Sequence, residues 1–599
     1  LIIHRTLKRP EGTTMTTDLD ELFPAIGGFG KFQKLLVLPL CFASYSLAIV
    51  YFSQVFLVLE PDEYWCHVPE LAHLPPEERR GLAIPARQKQ SSHEGLSHIQ
   101  TPYDQCHKYK VDNWTSVSTT GNTSDFPLVT CLHGYEFNFT GFYSTIVTEF
   151  EWVCEDNWIP NLAQSIFFLG ALIGTPLFSF ISDRFGRRAA FILANLTAGI
   201  FGIATGFSTD ITTFLIFRCL VGTAYALGFT SMMVLGMEFV EVNKRTIMVS
   251  LPLVLCMVPT LCSLPWIAKA LANWRVFAVV IHSPLLLVVF TPLIVPESIR
   301  WRLSRGQIDQ AVETIQQIAR VNGKTIKPGL LDDFKKAYIV GYNPANERTY
   351  TWLDLLRTPN IRKYLLLMCA IWSLQAIAFD GHARNTHNLG LDPYLSYSIA
   401  SFTELPAGIL PLLFLDVIGR RWSISTLMLL GGVFSIFGLA VPRGDTLSFA
   451  CMSFMARFFL SSTFNIILQL QSEIFPTVIR SQGMGVTECV GHLSAFVAPF
   501  VLYLSNYWLE LPLLIMGLLS IIGSVLILFV PETMGKELPE TIEDGENFGK
   551  DQKFFDFPCI RSNPEPQNRD LEGKGNVGYV CDEGDIPIQK TNAISSLAS

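Results

Sequence analysis

Asp183-Arg-Phe-Gly-Arg-Arg188 returns later in the chain as Asp416-Val-Ile-Gly-Arg-Arg421, an offset of 233 residues. Two further pairs repeat in the same order at almost the same distance. Glu238 with Arg245 is echoed by Glu473 with Arg480, and Pro296-Glu-Ser by Pro531-Glu-Thr, both at an offset of 235. A single match is within reach of chance. Three in register predict two homologous halves, a duplication that transporter folds use.

The residues around these motifs identify the solvent. Of 599 residues, 49% are hydrophobic, only 16% are charged and 44 are Phe, with a mean hydropathy of +0.34. That is more apolar surface than one soluble core can bury, so a lipid bilayer is the expected surrounding. Runs able to cross a ~30 Å hydrocarbon layer at ~1.5 Å per residue predict helices. They fall at 33–58, 160–182, 189–207, 211–236, 246–271, 275–295, 363–382, 393–416, 422–441, 446–470, 480–505 and 511–531. The expected architecture is an all-α membrane protein of twelve helices in two pseudo-symmetric six-helix bundles, spanning 33–296 and 363–531. A polar linker, 297–362, has helical patterning at Gln307–Arg320, while 1–32 and 532–599 form the terminal segments. The tail after Glu540, rich in Gly, Asn, Asp and Lys, is expected to be mostly disordered. Leu1–Asp20 is too polar for a signal peptide and the run 35–59 too long for a signal-peptide core, so the latter reads as a signal-anchor helix. The first residue is Leu, which suggests that Leu1–Thr14 is upstream sequence and Met15 the natural start.

Charge sets the orientation. Lys31, Lys34, Arg184, Arg187, Arg188, Lys244, Arg245, Arg420 and Arg421 all fall on one side of the predicted helices, which the positive-inside rule makes cytoplasmic together with both termini. The long loop 60–157 then faces outward, and it carries the glycosylation sequons of Asn113, Asn122 and Asn138. Four of the 13 cysteines, Cys66, Cys106, Cys131 and Cys154, lie in this loop, where two disulfides are expected in one of three connectivities. Asn195-Leu-Thr, inside a helix, is read as a chance sequon. The net charge of −8 points to no nucleic-acid partner.

The duplicated motifs suit a rocking carrier. Gly186 and Gly419 permit tight turns between helices. Asp183, Arg184, Arg187, Arg188 and Glu238 with Arg245, and likewise Asp416, Arg420, Arg421 and Glu473 with Arg480, can form ionic latches that close in one conformer and release in another. The plainer alternative is that the arginines only obey the positive-inside rule.

These motifs resemble the major facilitator superfamily, and within it the organic ion transporters of solute carrier family 22. The resemblance runs through nearly the whole chain: the Cys-bearing loop, Ser144-Thr-Ile-Val-Thr-Glu149, Pro296-Glu-Ser-Ile-Arg-Trp301, Pro531-Glu-Thr-Met-Gly535 and Leu538-Pro-Glu-Thr541. The usual Pro-Arg-Trp-Leu of the family reads Ile299-Arg300-Trp301-Arg302 here, a departure in the linker. Phe379-Asp-Gly-His-Ala-Arg-Asn385 looks like the insect branch that carries carcinine or β-alanine. The resemblance implies transport of organic cations, anions or zwitterions by facilitated diffusion or exchange, with a coupled proton or Na+ allowed and no cofactor.

Ionisable groups inside membrane helices need a partner, a water-filled cavity or a function. Glu488 and His492 share one face of the eleventh helix, near the midplane. In the resembled family the His492 position carries Asp in cation carriers and Arg in anion carriers; imidazole fixes neither class. Glu404 matches an acidic family position, and Asp380 replaces a usually uncharged one. Both are candidate partners for a substrate ammonium, with an Arg384 ion pair as the alternative for Asp380 and a His492 pair for Glu488. Asn465 matches a polar pocket position, though an amide there also serves to join helices. Phe229 and Met233 are candidates for the cavity wall. Arg218 and Arg457 occupy comparable places in the two halves and are read as braces between helices. An organic cation or zwitterion carrier is the reading these residues favour; an organic anion or sugar carrier is the alternative. No nucleophile constellation, metal-ligand cluster or Walker-type Gly-Lys-Ser points to an enzyme or an ATP-driven pump, and the repeated latches argue against a receptor or adhesion role.

Overall fold

The computed structural model describes residues 22–24, 26–61, 63–86, 103–111, 114, 126–139, 143–241, 244–326, 328–341, 352–386, 389–442, 444–508, 510–536, 538–539, 541–550 and 552. In the N-terminal half, α1 is Lys31–Leu57, α2 Ile159–Phe185, α3 Arg187–Thr205 and α4 Ile211–Glu238. Helix α5 comprises Arg245–Pro252 and Val258–Leu271, joined by a π-helical stretch at Leu253–Met257, and α6 is Trp274–Ile294. The C-terminal half holds α7 Pro359–Arg384, α8 Pro393–Phe402 and Glu404–Ile418, α9 Arg420–Phe437, α10 Thr446–Ile474, α11 Arg480–Tyr503 and α12 Leu511–Leu526.

Eleven of these spans are long and apolar enough to cross a bilayer. The eighth differs from expectation, because a one-residue break at Thr403 divides it immediately before Glu404. Large apolar side chains such as Leu293, Phe207 and Leu447 stand exposed on the outside of the bundle, a surface that only lipid accommodates.

Each helix end must satisfy orphan N–H groups, and the chain does this differently on its two faces. On the face of loop 60–157, the loop face, four of the helices begin with their own Asx cap: Asp210 for α4, Asn273 for α6, Asp392 for α8 and Asp445 for α10. On the opposite, arginine-bearing face the caps come from distant segments. Asn322 of the linker accepts from Phe32 N at 2.8 Å, and Glu546 of the tail accepts from Asn360 N at 2.9 Å. The tail is therefore ordered further than its composition suggested. Ile542–Asn547 is a short helix with a Thr541 capping box, docked against the start of α7, and Gln552 pairs with the backbone of Glu532. Residues 553–599 lie outside the described residues.

The linker forms Ile299–Ser304, Ile308–Val321, Pro328–Gly341 and Trp352–Arg357 helices. In the loop, β1 Tyr64–Cys66 pairs antiparallel with β4 Tyr135–Phe137, and β2 His107–Tyr109 with β3 Leu128–Thr130. Of the three possible connectivities the structure has Cys66–Cys131 and Cys106–Cys154. Asn113 and Asn122 lie outside the described residues. Asn138 is half-buried, its amide donating to Glu63 at 3.1 Å. Asn195 is buried and donates to the carbonyls of Phe191 and Gly228, as suits a chance sequon.

Candidate functional site

Gly186 ends α2 and starts α3 at φ +103°, and Gly419 does the same between α8 and α9 at φ +88°; both backbones are in the region that side chains resist. Each turn brings a helix N-terminus against a carboxylate. Glu297 accepts from the backbone N–H of Arg187 at 2.9 Å, Arg188 at 3.2 Å and Ser298 at 3.0 Å. Glu532 accepts from those of Arg420 at 2.8 Å, Arg421 at 3.0 Å and Thr533 at 3.0 Å. A carboxylate there is favoured both by the hydrogen bonds and by the helix dipole. The Ser298 hydroxyl then donates to Glu238, and the Thr533 hydroxyl to Glu473. Arg187 pairs with Asp183 at 3.3 Å and Glu238 at 3.9 Å, and Arg420 with Glu473 at 3.3 Å.

The ionic networks are thus built inside each half and duplicated in detail. Glu297 and Glu532 are their centres, and sequence reasoning had recognised them only as repeated letters. Arg480 turns onto the Phe475 carbonyl and the Thr477 hydroxyl, both at 3.2 Å, while Arg245 opens α5. Arg188 reaches the Val295 carbonyl at 3.2 Å, and Arg184 lies 6.0 Å from the rings of Phe180 and Phe185. The side chain of Asp416 lies outside the described residues.

Contacts between the halves run from the loop face to the midplane. The Tyr51 hydroxyl of α1 donates to Asp380 of α7 at 2.8 Å, and Trp266 of α5 to Ser398 of α8 at 3.0 Å. Ser165 of α2 donates to the Phe496 carbonyl of α11 at 2.7 Å, and the Tyr397 ring packs edge-on to Phe56. Deepest of them is the edge contact of Tyr225 with His492, 5.9 Å between centroids. This layer closes the loop face above the sequence-predicted site.

The carboxylates of that site have different partners. Asp380, 1% exposed, is held by Arg384 Nε at 2.9 Å besides Tyr51, which is the ion pair offered by their spacing. Glu404 takes Ser461 at 2.9 Å and Arg457 at 3.4 Å, and Arg457 also donates to the Ala383 carbonyl at 3.2 Å, so this arginine braces α7, α8 and α10. Arg218 of α4 braces α1 through a side-chain amide rather than a carbonyl or carboxylate: its Nε donates to Gln54 Oε1 at 2.7 Å while both Nη atoms have no hydrogen-bond partner. Glu488 has no cationic partner among the described residues, and the indole of Trp372 is its polar neighbour. No hydrogen bond or ion pair joins it to His492, whose Nε2 is unpartnered. Trp372 packs at a tilt, 4.9 Å between centroids, on Phe464, which stacks at 5.2 Å on Phe379, so an aromatic wall from α7 and α10 stands beside Glu488. That wall was missed because aromatic residues crowd every span. Asn465 is exposed and back-bonds to the Ser461 carbonyl. Phe229 is half-buried, and Met233 differs from a cavity wall: 4% exposed, it belongs to the apolar cluster of Phe191 and Leu235.

The sequence profile of the "Sugar (and other) transporter" family matches residues 127–544. The carcinine transporter of Drosophila melanogaster is 32% identical, over 92% of this chain and 82% of that protein. Solute carrier family 22 member 1 of Bos taurus is 31% identical, over 89% and 94%. The inward-open xylose transporter XylE of E. coli superposes with a TM-score of 0.52 at 18% identity, over 67% of this chain and 92% of that one, a likeness of fold. Duplicated six-helix halves, paired helix-capping glutamates and these relatives agree: the chain belongs to the sugar (and other) transporter family of major facilitator membrane carriers, within its solute carrier family 22 branch.

Proposed function

We propose that the chain carries an organic cation or zwitterion, carcinine, β-alanine or a related amine, across the plasma membrane by alternating access. The observation that carries this reading is Glu488. It lies about 12 Å into the bilayer from Arg480, lacks a cationic partner among the described residues and adjoins the Trp372–Phe464–Phe379 wall. A carboxylate beside aromatic faces suits an ammonium group, which both attract. Asp380 and Glu404, the other candidates, hold Arg384 and Arg457 in this conformer. His492 and Asn465 read the other end of the substrate. The arginine face and both termini are cytoplasmic, a placement supported by the basic residues on that face and the disulfides on the other. A proton or Na+ is the coupling ion to be tested.

Radiolabelled amine uptake in cells tests the site. Glu488→Gln is expected to lower uptake efficiency roughly a hundredfold at unchanged surface abundance, the scale of removing one partner of a desolvated charge pair. His492→Ala is expected to alter selectivity between amines and β-alanyl conjugates. Unchanged apparent affinity and selectivity in both variants would sink the assignment. Competition by a cationic amine against a monocarboxylate separates the cation reading from an anion or sugar carrier. Removing Na+ and varying pH identifies the coupling ion.

A further inference from the structure

On the arginine face, position 184 borders lipid. Its duplicate at the 233-residue offset is Val417, 49% exposed, followed by Ile418, 39% exposed. Arg184 itself stands one helical turn beyond Phe180 and next to Phe185, which are 59% and 57% exposed at the end of α2. Large apolar side chains this bare belong against acyl chains. The N-terminal half therefore sets a guanidinium where the C-terminal half keeps a valine, and a charge at the edge of the hydrocarbon turns to the headgroup layer.

A cavity of about 400 Å³ opens at this point, lined by Phe180, Asp183 and Arg184 of α2 and by Trp301 and Arg305 of the linker. The Trp301 indole and Arg305 Nη2 both donate to the Asp183 carbonyl, at 2.8 and 2.6 Å, and so pin the linker to the end of α2. Asp183, Arg184 and Arg305 are its charged lining, and all three are exposed. The Asp183 carboxylate is paired with Arg187 at 3.3 Å. Arg184 and Arg305 meet no carboxylate among the described residues; Arg184 lies 6.0 Å from the rings of Phe180 and Phe185, and Arg305 5.9 Å from that of Trp301. The cavity thus offers two accessible guanidiniums, and its Phe180 wall continues onto the lipid-facing surface. The other half has no such pair, since Val417 and Glu540 stand at the repeat offsets of Arg184 and Arg305.

We propose that an anionic glycerophospholipid occupies this cavity, its headgroup phosphate accepting from Arg184 and Arg305 and an acyl chain running along Phe180. Guanidinium forks match phosphate oxygens, and a Trp at headgroup depth is the usual companion of a bound lipid. A soluble anion would meet the arginines but leave Phe180 bare; a lipid satisfies both. Bound there, it ties α2 to the linker beside the Gly186 turn, whose helix start Glu297 caps. The site rests on the membrane placement of α2 and is independent of the amine reading.

Phosphatidylglycerol is the probe, and phosphatidylcholine with the same acyl chains is its reference. Full-length protein in mixed micelles is expected to show a saturable rise in thermal midpoint with phosphatidylglycerol over phosphatidylcholine, and its native mass spectrum to retain phosphatidylglycerol. Arg184→Val, which copies the duplicate, is expected to weaken the apparent affinity roughly fivefold, the scale of one juxtamembrane charge. Arg184→Val/Arg305→Gln is expected to abolish both the added rise and the retained lipid, the spectrum reading occupancy whatever the variant's stability. Arg362→Gln/Lys363→Gln, at the start of α7 on the same face, is expected to leave both intact. Equal responses to the two lipids in the wild type, or a full response in Arg184→Val/Arg305→Gln, overturns the proposal. So does an equal loss in Arg362→Gln/Lys363→Gln, which means general attraction to a basic face. A rise of the same size with millimolar glycerol phosphate also overturns it, by placing a soluble anion in the cavity.

Discussion

Arg218 of α4 and Arg457 of α10 are buried arginines, one in each half, yet one meets an amide and the other a carboxylate and a carbonyl. On the arginine face the halves agree instead, each with a glutamate capping the helix after a left-handed glycine. Where the two halves must move alike, the duplicated residues kept their chemistry. Inside the bilayer they diverged, and the acids Asp380, Glu404 and Glu488 all sit in the C-terminal half.

The largest test of this contrast removes the two arginines. Arg457→Met strands Glu404 and is expected to cost about 3–5 kcal/mol, seen as a large drop in thermal midpoint; adding Glu404→Gln restores most of it. Arg218→Met strands only an amide oxygen and is expected to cost about 1 kcal/mol or less. An equal loss at both sites would break the distinction. The capping glutamates sharpen the symmetric side: Glu297→Ala and Glu532→Ala are each expected to cost about 1–2 kcal/mol, with matching falls in maximal uptake. A smaller effect separates the loop face. Glu149, outside the spans, accepts from Trp274 at 2.6 Å and from Arg275 Nη2 at 2.6 Å. Partial burial pushes its carboxyl up, but these hydrogen bonds prevail and hold it below the ordinary carboxylate range. Its contribution is complete above the unfolded value of ~4.3 and is lost as pH falls through the folded one. Thermal midpoints measured from pH 6 to 3 are expected to decline less steeply in Glu149→Gln.

The helical runs and the duplicated loops were legible because apolar length and repeated letters are properties of the sequence itself. The division of α8 was not, since Thr403 and Glu404 interrupt no apolar period. Partnering was legible only within one helix: the spacing of Asp380 and Arg384 offered their ion pair. The Tyr51 contact that completes it lies 329 residues away and needs the fold. Spacing also offered Glu488 and His492 as a pair, and there the helix face is shared without a bond. The docking of Ile542–Asn547 was not legible, because composition cannot show that Glu546 has a helix start to cap.

The disulfide from Cys106 ends at Cys154, just before α2 begins, and Asn138 and Arg80 both reach Glu63 just beyond α1. The cap on the loop face is therefore a passenger of the N-terminal half. As the halves rock it must sweep past the Tyr394 end of α8, which Tyr143 touches in this state. An antibody gripping the cap and that end together would act as a brake on turnover, whereas one gripping the cap alone would ride along without slowing it.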